Sequence, residues 1–372
     1  MKKLIISIAS LLLLALYKFF SLLPVRNQIV CLSRQTDQEP IDFLLLKAEL
    51  ERINSPFRIV ILSKTLKNKI LYCLHIIKQV YYIATSKAIV LDSYCIPVSL
   101  LDQSIKAPVV QMWHAMGNMK KFGYTAIGTE EGHSKNAAAL FKMHHGYNAV
   151  LISSKNFIAD YAAGFGVDPS IILEAPLPKT DLLISSEYKK IKRDEIYSKF
   201  PELRLKKNIV YCPTFRRKAA KNETQAMANL LNAIDFEKFN FIYKPHPVST
   251  QKFNDSRVLE NYGPYNMLYI ADYIISDYST VIYEAGLLEV PIYLYGYDWD
   301  EYNQKRSLNI DIKHDVPTLF TDNPKKIIQA IESNTFDYQA YQCFIKENIT
   351  IPSGKTCTQQ VLDIIFSMIH QK

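Results

Sequence analysis

A strand–helix–strand pattern in the C-terminal half of the chain constrains the fold more than any other feature. Two short runs rich in β-branched and aromatic residues, at 273–276 and 291–295, flank a segment that predicts a helix beginning near Ser279. The turn before this helix contains Asp277, Ser279 and Thr280, whose side-chain oxygens can cap the free N–H groups of a first helical turn. In α/β proteins such a turn lies at the C-terminal edge of the sheet, where those N–H groups and the helix dipole bind anions. The pattern predicts an anion site, although a simple helix cap would use the same residues.

Two other apolar strands of this half end in residues that suit the same anion. One strand runs into Lys244 and His246, and the prolines on both sides of His246 restrict its backbone. Another strand is followed by Thr214 and Arg216, a hydroxyl and a guanidinium. Glu284, on the predicted helix itself, can accept hydrogen bonds from sugar or glycerol hydroxyls or can simply be a solvated carboxylate. Together these side chains predict a phosphate-binding cleft.

His114 is the candidate base of the N-terminal half. It follows the apolar run 109–113, and small residues at 115 and 117 allow a ligand to approach the backbone. A histidine titrates close to neutral pH, so it can accept a proton from a substrate. Packing against Trp113 is an equally good explanation of His114 from its position alone.

Strands alternate with helices along most of the chain, which predicts parallel sheets covered by helices on both faces. A chain of 372 residues is long enough for two domains. The charged stretch 178–204 is the candidate linker, and a short strand is expected near residues 267–270. The predicted divisions are a membrane-associating segment at 1–26, an N-terminal Rossmann-like domain at 27–185 on the acceptor side, a C-terminal Rossmann-like domain at 186–345 that binds the donor, and a C-terminal helix at 346–372.

The N-terminus predicts an association with a membrane. Two lysines precede an apolar run at 4–17, Lys18 interrupts it, and 19–23 resumes it. A cleaved signal peptide, a single membrane span and a helix lying in the interface all fit, but no small-residue cleavage site follows the apolar run. We therefore expect a retained anchor, spanning or interfacial, that places the protein at the cytoplasmic side of the cell membrane.

Composition excludes several classes of function. The net charge of +8 is spread along the chain, without the aromatic and basic module of a nucleic-acid-binding protein. The six cysteines are far apart, which argues against a disulfide framework or a zinc site. His133, His144 and His145 lack a ligand at helical spacing, so we expect no metal and no other cofactor.

Several motifs of the chain, taken in order, resemble those of the CDP-glycerol glycerophosphotransferase family of teichoic-acid synthesis. The motifs are Trp113-His114, Ser153-Ser154, Pro178-Lys179-Thr180-Asp181, Cys212-Pro213-Thr214-Phe215-Arg216, Lys244-Pro245-His246-Pro247, Ser276-Asp277-Tyr278-Ser279-Thr280 and Tyr297-Asp298-Trp299-Asp300-Glu301-Tyr302. The resemblance covers nearly all of the globular part of the chain.

The resemblance implies a GT-B fold, with two Rossmann-like domains facing a central cleft, and transfer of glycerol phosphate from CDP-glycerol to a hydroxyl of a lipid-linked saccharide, with release of CMP. It implies that His114 is the base that takes the acceptor proton. It also implies that His246, Ser279 and Thr280, with the start of their helix, hold the pyrophosphate. Such a transfer depends on positioning and charge stabilisation, which histidine and a helix dipole supply without a metal.

Three alternatives stay open. The donor can be CDP-ribitol or another CDP-activated polyol. The chain can be a GT-B glycosyltransferase that transfers a sugar from a nucleotide sugar. It can also be a non-catalytic, membrane-anchored scaffold with a GT-B fold, because a fold does not determine a function.

Overall fold

The computed structural model describes residues 2–65, 69–129, 132–214, 216, 223–245, 253, 255–260, 262–263, 266–305 and 307–371. The strands, in chain order, are β1 (Gln28–Ser33), β2 (Arg58–Ser63), β3 (Ala88–Leu91), β4 (Val109–Gln111), β5 (Ala149–Ile152), β6 (Ile172–Glu174), β7 (Lys207–Cys212), β8 (Phe239–Tyr243), β9 (Val258–Leu259), β10 (Tyr273–Ser276), β11 (Ile292–Tyr295) and β12 (Phe320–Thr321). The α-helices are α1 (Lys2–Phe20), α2 (Ile41–Arg52), α3 (Lys69–Thr85), α4 (Ile96–Leu101), α5 (Lys135–Leu140), α6 (Ile158–Phe165), α7 (Thr180–Ile184), α8 (Ser186–Lys199), α9 (Glu223–Ala233), α10 (Val281–Leu288), α11 (Trp299–Lys305), α12 (Pro324–Ser333), α13 (Tyr338–Asn348) and α14 (Cys357–His370).

The chain forms two compact units, each built on one sheet. The first unit comprises Met1–Gly117, Lys121–Asp181 and Ile349–Lys372, and the second comprises Asn118–Lys120 and Leu182–Asn348. The sheet of the first unit has the order β2-β1-β3-β4-β5-β6, and that of the second has the order β12-β11-β10-β7-β8-β9. All pairs within both sheets are parallel, as the alternation of strands and helices predicted.

Helices cover both faces of the first sheet because its strands are apolar on both sides. One face packs against α1, α3, α4 and α6 and buries residues such as Val80, Val98 and Phe165. The opposite face packs against α2 and α14 and buries Phe43 and Val361. Helix α14, predicted as a separate C-terminal element, therefore completes the core of the first unit.

The N-terminal helix α1 is part of this core. Tyr17 is buried in the cluster beneath α1, and its hydroxyl accepts a hydrogen bond from the backbone N–H of Lys106 at 3.1 Å. Phe20 packs edge-on against Tyr81 of α3, with ring centroids 5.4 Å apart. Within the part of the chain that the structure describes, no helix has the length and apolar character that crossing a bilayer requires.

The second sheet is covered in the same way. Its core includes Phe241 and Ile275 of the strands, Leu230 of α9, and Ile327 and Ile331 of α12.

The boundary between the two units, from Asp181 to Leu182, falls inside the candidate linker at 178–204. Most of this stretch is helical, because α7 and α8 occupy it and the Ser185 hydroxyl caps α8 by accepting the N–H of Tyr188. One local prediction for the second unit is wrong. The strand expected near 267–270 is a single 3-10 turn, Met267–Ile270, in which the Asn266 side chain caps the N–H of Leu268. A short edge strand instead lies at β9.

Candidate functional site

His114 lies just beyond the C-terminal end of β4, at the edge where a parallel sheet binds ligands. Its side chain is exposed, so a substrate can reach it. The preceding residue, Trp113, has φ 61°, a left-handed conformation that is uncommon for a bulky residue and turns the chain sharply before His114. The indole packs among the rings of Phe122 and Phe165, with centroids 5.2 Å and 5.1 Å away, and this packing holds the turn in place.

The hydrogen bonds of His114 determine which ring nitrogen is basic. Nδ1 is 2.9 Å from the backbone carbonyl oxygen of Asp92, which follows β3. A carbonyl oxygen can only accept, so Nδ1 carries the proton and donates it. The lone pair of neutral His114 is therefore on Nε2, the nitrogen that a general base uses. The side-chain amide of Gln35 lies 3.3 Å from the same Nδ1 and encloses that side of the ring.

The surroundings of His114 keep its ring neutral at neutral pH. Desolvation by the protein lowers the pKa of His114, the hydrogen bond with Asp92 opposes this effect, and the positive charge of Lys179 adds to it. Solvent at the exposed side of the ring limits the size of the shift. A pKa below the usual value of 6.5 leaves the neutral, basic form of His114 in excess at pH 7.

Asp92 is a site residue that the sequence analysis missed. Its carboxyl group is buried, and burial raises its pKa to about 6 despite hydrogen bonds from Ser33 and Ser93. Its carbonyl oxygen, described above, fixes the tautomer of His114. A polar residue directly after the apolar run 88–91, at the same sheet edge as His114, was the available signal.

The second edge lies in the other unit, at the turn from β10 to α10. The Ser279 hydroxyl accepts from the N–H of Val281 at a long 3.4 Å, and the side chain of Thr280 makes no capping hydrogen bond. The side chains therefore cap the helix less than predicted. In the described part of the chain no acceptor binds the backbone N–H groups of Ser279 and Thr280, which leaves two donors at the start of α10 for an anion.

A buried ion-pair network stabilises this turn. Asp277 is fully buried, and one of its oxygens accepts the N–H groups of Thr214 and Tyr278 at 2.8 Å and 2.7 Å. Its other oxygen pairs with the Arg216 guanidinium at 2.9 Å. Arg216 also binds Asp298 through two hydrogen bonds of 2.6 Å and 2.8 Å. The guanidinium thus joins the turns that follow β7, β10 and β11.

The environment of Arg216 favours its charged form. Burial would lower its pKa, but Asp277 and Asp298 more than offset that effect, and the pKa lies above its usual value. The rings of Tyr297 and Tyr302 lie 5.2 Å and 5.7 Å from the guanidinium carbon. Arg216 and Asp277 contact protein groups here, and the prediction that they contact a substrate stays a prediction.

The other predicted ligands lie at the ends of neighbouring strands or on α10. Thr214 follows β7, and its hydroxyl is buried without a hydrogen-bond partner among the described residues. Lys244 follows β8 and donates to the Asn266 side chain at 3.1 Å. Glu284 is half-buried in the first turn of α10. His246 lies outside the described residues, so its predicted role is untested.

No group of three or more histidine, cysteine or acidic side chains that could hold a metal occurs in the described ranges. The residues that can perform chemistry lie at the C-terminal edges of the two sheets. The first offers an exposed imidazole with a fixed tautomer. The second offers N–H groups, a hydroxyl and an ammonium group suited to a phosphate.

Comparison with known proteins gives relatives along almost the whole chain. The teichoic acid ribitol-phosphate primase of Bacillus spizizenii is 29% identical over 370 residues, which cover 95% of each protein. The teichoic acid glycerol-phosphate primase of Bacillus subtilis is 27% identical over 80% of this chain and 77% of that protein. The teichoic acid poly(ribitol-phosphate) polymerase of Bacillus spizizenii is 29% identical over 94% of this chain, and the matched part is 58% of the polymerase.

A solved structure of the wall teichoic acid polymerase TagF shares the fold, with a TM-score of 0.75 at 15% identity over 99% of this chain and 98% of that chain. This likeness confirms the predicted two-sheet, GT-B-like class. The sequence model of one family, described as CDP-glycerol:poly(glycerophosphate) glycerophosphotransferase, matches residues 15–367. That match covers nearly the whole chain and agrees with the motifs, and the chain belongs to this glycerophosphotransferase family.

Proposed function

We propose that this transferase moves a polyol phosphate from a CDP-activated donor to a hydroxyl of a lipid-linked saccharide in teichoic-acid synthesis and releases CMP. The observation that supports this proposal most directly is the state of His114. Its Nδ1 proton is donated to a carbonyl, its Nε2 lone pair is available, and its pKa lies below the usual range. A base of this kind suits the activation of a hydroxyl, whose proton must be removed as it attacks.

In this mechanism Nε2 of His114 takes the proton of the acceptor hydroxyl. The hydroxyl oxygen attacks the phosphorus that carries the polyol, a new phosphorus–oxygen ester bond forms, and the bond from this phosphorus to the bridging oxygen of the pyrophosphate breaks. CMP leaves with the electrons of that bond. The N–H groups of Ser279 and Thr280, at the positive end of α10, stabilise the charge that develops on the departing phosphate.

The identity of the polyol is left open by the relatives, because primases named for ribitol phosphate and for glycerol phosphate have similar identity to this chain. The deciding experiment incubates the purified protein and a lipid-linked saccharide with CDP-glycerol, CDP-ribitol or a UDP-sugar and measures nucleotide release. We expect CMP release from one CDP-polyol, at a rate that EDTA leaves unchanged. Turnover of the UDP-sugar alone would establish the glycosyltransferase alternative, and a lack of turnover with every donor would favour the scaffold.

The hydroxyls at the start of α10 give a prediction about the donor. We expect Ser279→Ala and Thr280→Ala each to lower kcat/KM for the CDP-polyol by about 100-fold, because we propose that each hydroxyl donates to the pyrophosphate in addition to the backbone N–H groups, which alanine keeps. The matched control is Ser333→Ala in α12 of the same unit, whose hydroxyl donates only to the Gln329 carbonyl. Steady-state kinetics at saturating acceptor make the comparison. Equal kcat/KM values for all three variants would show that neither hydroxyl contacts the pyrophosphate.

We also propose that the first unit docks on the cytoplasmic surface of the membrane through α1 and α3. These helices pack together, and they leave a set of large apolar side chains exposed on one face. The set, called here the apolar face, is Leu4, Ile8, Leu11, Leu12, Phe19, Leu71, Leu74 and Ile77. Exposed lysines at 18 and 78 on the same helices suit anionic headgroups. A bilayer is the occupant that fits both features.

Vesicle binding tests this docking. The double variant Leu11→Asp with Ile77→Asp should lose binding to phosphatidylglycerol vesicles by at least about 10-fold, since burying each side chain contributes roughly 1.5–3 kcal/mol. The control is Ile41→Asp with Ile53→Asp at the two ends of α2, on the other face of the sheet, where each residue is 44% exposed compared with 47% for Ile77. Equal losses in both pairs would contradict a defined docking face.

A further inference from the structure

Arg34 is a cation at the same sheet edge as His114 that the mechanism above does not use. It directly follows β1, and its backbone N–H donates to the Ser93 hydroxyl at 3.1 Å. Ser93 follows Asp92, whose carbonyl holds His114, and Gln35, the residue after Arg34, lies against the His114 ring. The same short segments therefore position both Arg34 and the candidate base.

Within the described ranges no carboxylate lies within ion-pair distance of the Arg34 guanidinium. Its Nε is buried without a hydrogen-bond partner, and the Tyr72 hydroxyl lies close to the guanidinium. Its neighbour is the ring of Tyr94, with the guanidinium carbon 5.3 Å from the ring centroid. A half-buried charge without an anion costs stability, whereas Arg216 in the other unit satisfies its charge with two carboxylates. A half-buried guanidinium in this setting is a group that an external anion can bind.

Several aromatic and imidazole groups near Arg34 carry no negative charge at neutral pH. Burial, together with the charges of His133 and Arg34, lowers the pKa of His144 to about 3. Burial raises the pKa of Tyr94 and of Tyr72, so both phenols are neutral. Lys64, at the end of the adjacent strand β2, is paired with Asp37 at 3.5 Å. Arg34 is thus surrounded by aromatic rings and neutral groups, and the buried carboxyl group of Asp92 is at the same sheet edge.

The position of Arg34 relates it to both the base and the apolar face. Strands β1 and β4, which carry Arg34 and His114, are separated by β3 alone, so they are about 10 Å apart. Tyr72, whose phenol lies near the guanidinium, is a residue of α3, and its chain neighbour Leu71 belongs to the apolar face. A ligand that spans this distance can present a hydroxyl to His114 and an anion to Arg34, beside helix α3.

We propose that Arg34 binds the phosphate that joins the acceptor saccharide to its lipid. This inference rests on the proposed function, because it assigns the acceptor end of the same reaction. The guanidinium forms paired hydrogen bonds with two phosphate oxygens, a geometry that arginine offers and lysine does not. The lipid chain then leaves along α3 toward the apolar face, and the saccharide extends toward His114.

A binding experiment tests the phosphate assignment without turnover. The full chain is titrated calorimetrically with decyl phosphate and with the uncharged decyl glucoside, below their micelle concentrations. We expect Arg34→Gln to weaken decyl phosphate binding about 10- to 100-fold, the loss expected for hydrogen bonds to a charged group, and to leave decyl glucoside unchanged. Arg34→Lys should show an intermediate loss, because it keeps the charge and loses the paired geometry.

The matched control is Arg26→Gln. Arg26 precedes β1 as Arg34 follows it, and it also lies over a tyrosine, with its guanidinium carbon 5.8 Å from the Tyr81 ring. It is at the opposite end of the strand, so its variant should bind decyl phosphate as the wild type does. An equal loss of decyl phosphate affinity in Arg26→Gln and Arg34→Gln would overturn the proposal, because the loss would then follow from the change in net charge alone.

Two further arms distinguish the source of the phosphate. If inorganic phosphate binds as tightly as decyl phosphate and depends equally on Arg34, the site holds a free anion and the assignment is wrong. If Arg34→Gln loses affinity for phosphatidylglycerol vesicles as strongly as for decyl phosphate, the ligand is a bulk headgroup and the assignment is again wrong. We expect vesicle binding to be unchanged.

Kinetics connect the site to the reaction. With a lipid-diphosphate-linked saccharide, Arg34→Gln should raise KM for the acceptor by the factor seen in the titration and leave KM for the CDP-polyol unchanged. Normal acceptor KM in the variant would overturn the proposal while leaving the proposed function intact. A wild type that binds decyl phosphate through Arg34 but transfers nothing would instead contradict the proposed function.

Discussion

We expect His114→Ala to lower the rate of polyol-phosphate transfer by about 100- to 10,000-fold, the range that general bases contribute. The reason is structural, because His114 presents Nε2 without a proton and no substitute base occupies its position in alanine. Binding of the CDP-polyol should be unchanged, since its phosphates are assigned to the other unit. Single-turnover CMP release measures the first effect, and titration calorimetry with the donor measures the second.

The control for this variant is His145→Ala, an exposed histidine of the same unit whose Nδ1 lies 3.6 Å from an Asp102 oxygen. It removes an imidazole without touching the sheet edge, so transfer should continue within about twofold of the wild-type rate. A comparable loss of transfer rate in both variants would show that His114 is not the general base.

The pH dependence of the rate is a further readout of the same residue. The reaction needs neutral His114, and the pKa of His114 is lowered, so the base form is complete at neutral pH. As the pH falls through this lowered pKa, kcat/KM should decline, with the decline centred below pH 6.5. A limb centred above that value would mean that another group controls the rate.

The second large effect is on stability, and it concerns Arg216. Arg216→Met should lower the free energy of unfolding of the second unit by about 3–5 kcal/mol, because it leaves Asp277 and Asp298 buried without their cation. The three turns that the guanidinium joins include the start of α10, so binding of the CDP-polyol should weaken as well. Urea denaturation followed by tyrosine and tryptophan fluorescence measures the loss.

Arg257→Met is the matched control in the same unit. Arg257 pairs with Asp255 at 2.7 Å, but its side chain is 40% exposed, compared with 8% for Arg216. Water replaces the lost partner at such a site, so this variant should cost less than about 1 kcal/mol. Similar urea denaturation midpoints for the two variants would show that the buried ion pairs of Arg216 do not stabilise the turns that they join.

The elements that the sequence predicted well are those with strong apolar periodicity. Strand β10 lies at 273–276 as expected, and α10 begins two residues after Ser279. A buried parallel strand must be apolar along its whole length, which makes it visible in the sequence. His114 also lies at the end of its strand as predicted, because chain order alone places the residue after a strand at the sheet edge.

Helix α8 was missed because its sequence carries little of this signal. It is rich in charge, and of its residues only Ile196 and Tyr197 are buried. Its stability comes from local features such as the Ser185 cap and the pairing of Lys192 with Glu195 at 2.7 Å, and these do not depend on an apolar stripe. Charge in a segment therefore indicates exposure, and the charged stretch that contains the boundary between the two units is largely helical.

Details of the site depend on contacts between distant residues, which no local pattern contains. The ion pair of Arg216 with Asp298 joins residues 82 positions apart. The tautomer of His114 depends on a carbonyl 22 positions earlier in the chain. The sequence could suggest which side chains are polar at each edge, but the partner of each became visible only in the folded units.

The return of α14 to the first unit has a consequence for biosynthesis. The Asp181 carboxylate accepts the N–H groups of Cys357 and Thr358 at 2.8 Å and 2.9 Å, and α14 buries Val361 and Ile365 against the first sheet. Domains usually fold in order as they leave the ribosome. Here the sheet that emerges first lacks one of its covering helices until α14 has been translated, so the second unit can finish folding before the first. Until then an apolar surface of the early domain is open to chaperones.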